Sequence, residues 1–320
     1  MQGIRILVIG SNGQTGSYLV ENLLKNNYQV YGIARKKKFY VYESNPSYKA
    51  FYLKLDSNTD LNRILDVANP SIVINLASMS SVAECALNPR LSEEINFNLV
   101  KKICGDLMKF NNSRKSNIKL IQASSSEMYS ANHSINTVRD STLLNPGSYY
   151  GEHKALAHNH IRRLRTEGSL FTSSAILFNH ESPRRADNFV SKKIANFIHN
   201  LKLGKSNSIT FGNMQIKRDW GYAKDYAKII TTILENDKSD DFIVASGELH
   251  SVKEFLIKAL ELNNIKESEI NISEDTSLFR NNDHPGLMGD MSQTKQKLGE
   301  IPHTSFENLI RIMCTNKFEK

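Results

Sequence analysis

The run Ser124-Ser125-Ser126-Glu127 is followed, after a loop, by Tyr150-x-x-x-Lys154. Residues four apart share one face of a helix, so this spacing sets a lysine ammonium beside a phenol. A neighbouring cation favours the phenolate and lowers its pKa from about 10. Such a phenol is a general base for a substrate hydroxyl near neutral pH. Ser125 offers a hydroxyl to the same substrate oxygen. Glu127 adds a second acid/base group, which plain alcohol oxidation does not need. The candidate catalytic residues are therefore Ser125, Glu127, Tyr150 and Lys154. A lone Tyr-x-x-x-Lys is expected about once by chance in a chain this rich in tyrosine and lysine. It gains weight from its place after an apolar strand that ends in serines, and from a second motif near the N-terminus.

That motif is Gly10-Ser-Asn-Gly13-Gln-Thr-Gly16, which follows the apolar run Ile4 to Ile9. Tyr18, Leu19, Leu23 and Leu24 then recur at helical spacing. Strand, glycine turn and helix in this order form a variant of the dinucleotide fingerprint. The glycines admit a pyrophosphate to the backbone, and the helix N-terminus faces its charge. Gly10, Asn12, Gly13, Gln14, Thr15 and Gly16 are the expected turn contacts. A second strand, Gln29 to Ala34, ends at Arg35-Lys36 with no carboxylate for the ribose hydroxyls of NAD. A guanidinium stacks on adenine and pairs with a 2′-phosphate, so Arg35 predicts NADP rather than NAD. Ala50 to Leu55 reads as a third strand ending at Asp56, placed for the adenine amino group. Ser71 to Leu76 reads as a fourth. It leads into Leu76, Ala77 and Ser78 beside the nicotinamide ribose.

Further elements complete an alternating pattern. Leu61 to Val67 and Pro89 to Phe110 read as helices, and Ile118 to Ala123 as the strand that delivers the serines. Tyr149 to Arg165 is the Tyr-Lys helix, and Leu170 to Leu177 is a sixth strand. This alternation predicts an α/β fold, a Rossmann-type doubly wound parallel sheet over 1–178. Ligands belong beyond the carboxyl ends of such strands. From 179 to 320 helical patterns (Phe189 to Leu203, Tyr222 to Leu234, Val252 to Leu262, Phe306 to Met313) mix with short strands (Ser208 to Phe211, Asp241 to Ala245). This reads as a smaller mixed substrate lobe, some segments of which return to the sheet.

The chain has 320 residues, 40% hydrophobic and 23% charged, enough for a large core. No apolar run approaches the roughly 20 residues of a membrane span. The strand pattern begins almost at Met1, with no signal peptide expected. Cys85, Cys104 and Cys314 are scattered and lack metal-ligand spacing, which predicts a reducing, cytoplasmic setting and no metal site. The net charge of +8 suits anionic small molecules, or is merely a solvated surface. The basic residues are dispersed apart from Arg35-Lys36-Lys37-Lys38, and no nucleic-acid module is visible.

The pairing of the glycine turn with Tyr-x-x-x-Lys resembles the extended short-chain dehydrogenase/reductases that act on nucleotide sugars. Within them the chain resembles the GDP-mannose 4,6-dehydratases. The matching stretches are GSNGQTGSYL (10 to 19), QASSSEMY (122 to 129), ILFNHESPRR (176 to 185), RDWGYAKDY (218 to 226) and SGELHSVKEF (246 to 255). The resemblance implies a GDP-sugar 4,6-dehydratase, with a related GDP-hexose or heptose as the alternative substrate. A GDP-sugar 4-epimerase or oxidase would need only Ser125, Tyr150 and Lys154. It implies that Tyr150 takes the O4 proton as hydride leaves C4, that Glu127 removes the C5 proton, and that water leaves C6 before hydride returns there. His180 and Arg185 match cofactor-holding positions; Asn179, Lys193, Arg218 and Arg280 match positions that hold the GDP moiety. Helices 90 to 110 and 149 to 165 match the family's four-helix interface, which implies a homodimer or homotetramer. The chain departs from the pattern at Ser125, a threonine in the family, and at Met79-Ser80-Ser81, where Gln-Ser-His is typical.

Overall fold

A computed structural model describes residues 3–38, 40–132, 134, 136–279 and 284–315. Seven parallel strands form one sheet in the order Asp241–Val244, Thr172–Leu177, Lys119–Ser125, Ile72–Asn75, Arg5–Ile9, Gln29–Ala34, Tyr48–Tyr52. The expected doubly wound α/β architecture is thus borne out, and the strand Asp241–Val244 carries the later half of the chain back into the sheet. The first strand shows why its sequence is apolar throughout. Ile6 and Val8 enter one core with helix Gln14–Lys25 and helix Ala223–Glu235. Leu7 and Ile9 enter another with helices Asn62–Ala68, Leu99–Arg114 and Tyr149–Thr166. A strand covered on both faces has no solvent side to be polar on.

The chain winds one way from Arg5–Ile9 through Gln29–Ala34 and the other way through Ile72–Asn75. A crevice opens at that reversal, beyond the carboxyl ends of the strands. Gly10 sits there with φ +88°, and a Cβ on it would lie 2.9 Å from the Ala77 nitrogen. A Cβ on Gly16 would lie 2.1 Å from the Gly10 carbonyl oxygen, so the helix is seated hard against the turn.

Two expectations about elements need correction. The third strand is Tyr48–Tyr52, not Ala50 to Leu55. Its register is set by pairing Val30 with Tyr48 and Ala34 with Tyr52, and it ends where its neighbour ends. The long helix from Pro89 is helical as expected but contains a π turn at Glu94–Asn98 before continuing as Leu99–Arg114. The wider turn brings the buried Asn96 side chain out of the helix ladder towards residues 78 and 79, a frequent use of π turns. A helix at Val82–Leu87 was not anticipated.

The remaining segments build a third core around Trp220, Phe255 and Met313. Strand Lys217–Tyr222 runs parallel to Asn179–Glu181 and antiparallel to Leu249–Ser251. Asp219 holds this part to the rest. Its buried carboxylate accepts from the Ser246 amide (2.6 Å), the Ser246 hydroxyl (2.7 Å), the Gly247 amide (3.0 Å) and the Gly289 amide (3.1 Å). No helix among the described residues is long and apolar enough to cross a membrane.

Candidate active site

The crevice is a cavity of about 670 Å³ lined by the glycine turn, the ends of the central strands and the later lobe. Tyr150, Lys154, Ser125 and Glu127 all face it. Ser148 caps the Tyr-Lys helix by accepting the Gly151 amide at 3.1 Å. Tyr150 and Lys154 therefore fall one turn apart on its buried face. Ser125 ends its strand and accepts the Glu127 amide at 3.3 Å, which turns the chain into the short helix Ser126–Tyr129. That cap aims Glu127 into the space that Tyr150 borders.

The Tyr150 phenol lies close to the hydroxyls of Ser125 and Ser78. Its pKa is raised, which corrects the expected lowering. Burial is the main cause, the two serines oppose it, and the Glu127 charge adds to it. Lys154 is tied elsewhere: its Nζ donates to the Ala123 carbonyl at 2.9 Å and stands 5.9 Å from the Tyr150 ring centre. Burial also pulls the Lys154 ammonium down to about 8. Desolvation is the largest influence on both enclosed groups.

The turn contacts divide. Gly10, Gly13, Gln14, Thr15 and Gly16 line the cavity, as do Leu76 and Ser78. Asn12, Arg35, Asp56 and Ala77 do not. Arg35 is exposed just past its strand. The Asp56 carboxylate accepts from the Asn58 amide (3.0 Å) and the Thr59 hydroxyl (3.2 Å) of its own turn. The Ala77 amide donates to the Asn75 side chain at 3.1 Å.

The later lobe brings Asn179, His180, Arg185, Lys193 and Arg218 to the same cavity. Arg280 lies outside the described residues. The tautomer of His180 follows from its partners. Nδ1 lies 2.8 Å from the Phe178 carbonyl, which can only accept, so Nδ1 carries the hydrogen. Nε2 then accepts from the Thr15 hydroxyl at 2.7 Å. Gln14 donates to the His180 carbonyl (2.8 Å) and accepts from the Ser182 hydroxyl (3.0 Å). The glycine turn and the Asn179–Glu181 strand are thus stitched together. Arg185 pairs with the buried Glu181 (Nε to Oε2, 3.1 Å) and lies 3.4 Å over the Phe189 ring. Lys193 donates to the Thr210 carbonyl, and Arg218 to the carbonyls of Lys217 (2.8 Å) and His284 (3.1 Å). Arg218 and Asp219 thus have partners other than each other.

A family model described as GDP-mannose 4,6 dehydratase matches residues 7–313. The chain belongs to the GDP-mannose 4,6-dehydratase family. A GDP-mannose 4,6 dehydratase of Arabidopsis thaliana is 34% identical over 98% of this chain and 89% of its own. The Homo sapiens enzyme of that name is 32% identical over 96% and 89%. A solved UDP-glucose 4-epimerase from Thermotoga maritima superposes with a TM-score of 0.81 at 21% identity, covering 97% of each chain, a likeness of fold.

In this member of the GDP-mannose 4,6-dehydratase family, Asn96, a buried residue behind the site, escaped the sequence reading. Asn96 Oδ1 accepts from the Ser78 hydroxyl (2.8 Å) and the Met79 amide (3.2 Å), while its Nδ2 donates to the Met79 carbonyl (3.1 Å). The available signal was an asparagine within the helix read from Pro89 to Phe110.

Two buried histidines give the protein an acid limit. His180 and His158 are each held down to about 4 from an ordinary 6.5, mainly by burial. His158 lies against Ser124 and Asp241, with Arg162 and Arg165 on the same carboxylate. The unfolded chain binds protons between these two values that the folded chain refuses. Stability is therefore complete above about pH 6.5 and falls as pH drops towards 4, by up to about 3 kcal/mol per histidine. Melting temperatures taken across that window should fall steeply, and more gently in His158→Gln. An equal slope in the variant would reject the assignment.

Proposed function

We propose that this chain is an NADP-dependent GDP-sugar 4,6-dehydratase, converting GDP-mannose to GDP-4-keto-6-deoxymannose. The observation that carries the reading is that Tyr150 and Glu127 border one cavity, which the glycine turn enters on one side and Lys193 and Arg218 on the other. The chain's residues fit a dinucleotide: the Gly10–Gly16 contact leaves no room for side chains where a pyrophosphate approaches, and the N-terminus of a 12-residue helix faces it. Bound there, the nicotinamide would take hydride from the sugar's C4 and later return it to C6.

The chain's own groups supply the proton traffic. Tyr150 takes the O4 proton, with Ser125 beside it. The C4 ketone acidifies the C5 proton, which Glu127 removes and gives to the departing C6 hydroxyl; once C6 has regained its hydride, the proton held by Tyr150 restores C5 and frees the phenolate for the next turnover. Lys154 supplies positive charge below its pKa of about 8 and would hold the ribose of a bound cofactor. Arg218 and Lys193 bind the diphosphate and guanine.

NADP is favoured over NAD by the run Arg35 to Lys38, all four exposed, and by the lack of a carboxylate there. An NAD(H) affinity equal to or above that for NADP(H) would overturn this preference. Leu91, Tyr149 and Leu156 are exposed on the Pro89–Glu93 and Tyr149–Thr166 helices, which supports a homo-oligomer built through them. A monomer in light scattering would refute it. Three free cysteines suit a cytoplasmic enzyme. The deciding experiment is incubation with a panel of GDP-hexoses and mass spectrometry for a product lighter by one water. Loss of water from GDP-mannose is the expected result. Turnover of another GDP-hexose alone would move the substrate. Inversion at C4 without water loss would make the protein an epimerase.

A further inference from the structure

The segment after the second strand carries a buried tyrosine to which the reaction gives no task. Tyr42 lies in the short helix Val41–Ser44 and is 5% exposed. Its hydroxyl reaches the glycine turn, 3.2 Å from Asn12 Oδ1 and 3.3 Å from the Ser11 carbonyl. The amide of Asn12 is oriented by its other partner. Nδ2 donates to the Lys36 carbonyl at 3.0 Å, because a carbonyl can only accept. Oδ1 must then face the phenol, and the phenol must donate. Burial raises the Tyr42 pKa, which keeps that proton in place.

The chain of contacts runs from Tyr42 through Asn12 to the backbone of Lys36. It fixes the main chain immediately after Ala34 against the turn. The same strand end is already docked there, since the Gly10 and Ser11 amides both donate to the Ile33 carbonyl at 2.8 and 3.1 Å. The tyrosine side is rigid as well. Tyr42 stacks on Tyr40 at 5.2 Å and meets Tyr48 edge-on at 5.0 Å. The Arg184 guanidinium lies over Tyr40 at 4.9 Å and Tyr18 at 4.0 Å while pairing with Glu21 at 2.6 Å. The residues thus held in place include Arg35 and Lys36, the two cations at the position where a ribose 2′ substituent is discriminated.

We propose that Tyr42 is a positioning residue for cofactor specificity: through Asn12 it holds Arg35 and Lys36 where they receive a 2′-phosphate. The inference rests on the NADP reading and adds to it a residue that touches neither phosphate nor nicotinamide. A flexible pair of surface cations would attract a phosphate weakly, whereas cations on a fixed backbone spend less entropy on each bond. The effect of Tyr42 should therefore fall on 2′-phosphate discrimination, not on adenosine binding as such.

The test uses two ligands that differ by one phosphate, adenosine 2′,5′-bisphosphate and adenosine 5′-monophosphate, titrated calorimetrically into the full chain. The unaltered protein should bind the bisphosphate more tightly by about tenfold or more, the worth of a charge-assisted contact. Tyr42→Phe keeps the ring stack and removes the donor. It should cut that preference about fivefold, the worth of a hydrogen bond, with monophosphate affinity within about twofold of the original. Arg35→Ala should abolish the preference. GDP affinity, read on the same samples, reports whether the fold is intact. A preference retained in Tyr42→Phe but lost in Arg35→Ala overturns the role of Tyr42 and leaves the NADP reading standing. No preference in the unaltered protein overturns both. Parallel losses for both adenosine ligands and GDP in Tyr42→Phe would show a purely structural tyrosine and overturn the proposal.

Discussion

Glu127→Gln should stop water loss while leaving C4 oxidation measurable. Glutamine keeps the shape of the side chain and its place on the Ser126–Tyr129 turn, but it cannot take the C5 proton. Loss of a general base from such a step costs about 10²- to 10⁴-fold. In the proposed mechanism oxidation at C4 depends on Tyr150, which stays. GDP-mannose added to the variant with cofactor should therefore build up reduced nicotinamide absorbance and yield no product lighter by water. The sugar's C5 position should also stop exchanging with deuterated solvent. A second effect follows from the site's electrostatics. The Glu127 charge contributes to the raised Tyr150 pKa, so its removal should ease phenol ionisation and shift the oxidation step to lower pH. An unchanged dehydration rate would remove Glu127 from the mechanism.

The residues that carry this argument were legible because their signals are local. A continuous apolar strand, a glycine turn and a Tyr-Lys pair one helical turn apart are each written in adjacent residues. What was not legible depends on partners distant in the chain. Asn179–Glu181, Lys217–Tyr222 and Leu249–Ser251 were not anticipated as strands, and what makes them strands is that they pair with one another. The third strand begins earlier than its most apolar stretch, because the neighbouring strand dictates the register. Asp56 was placed from that misjudged strand end and lies outside the cavity lining for the same reason. The sign of the Tyr150 shift was missed because spacing shows that a lysine is near but not how deeply both groups are buried. Nor does spacing show that the ammonium is already tied to the Ala123 carbonyl. The His180–Thr15 and Tyr42–Asn12 contacts each join segments that no period in the sequence relates.

Tyr150→Phe should be the more damaging change, with turnover down by about 10³- to 10⁴-fold. Its signature differs from that of Glu127→Gln. Without the phenol no base takes the O4 proton, so neither reduced nicotinamide nor a dehydrated product should accumulate. The loss should not come from the fold, because the ring stays packed on its helix and Ser78 keeps its bond to Asn96. GDP affinity should accordingly be retained. In the unaltered enzyme the phenol must lose a proton from a raised pKa while Lys154 must keep one against a pKa lowered to about 8. These demands oppose each other, so the rate should climb with pH up to about 8 and level off above it, because each gain in phenolate is then offset by loss of the ammonium. Residual turnover in Tyr150→Phe should follow no ionisation on the acid side from this group. A variant that keeps more than about a tenth of the activity, or an unaltered acid limb, would show that another group takes the O4 proton, because a base of this kind contributes at least about 10².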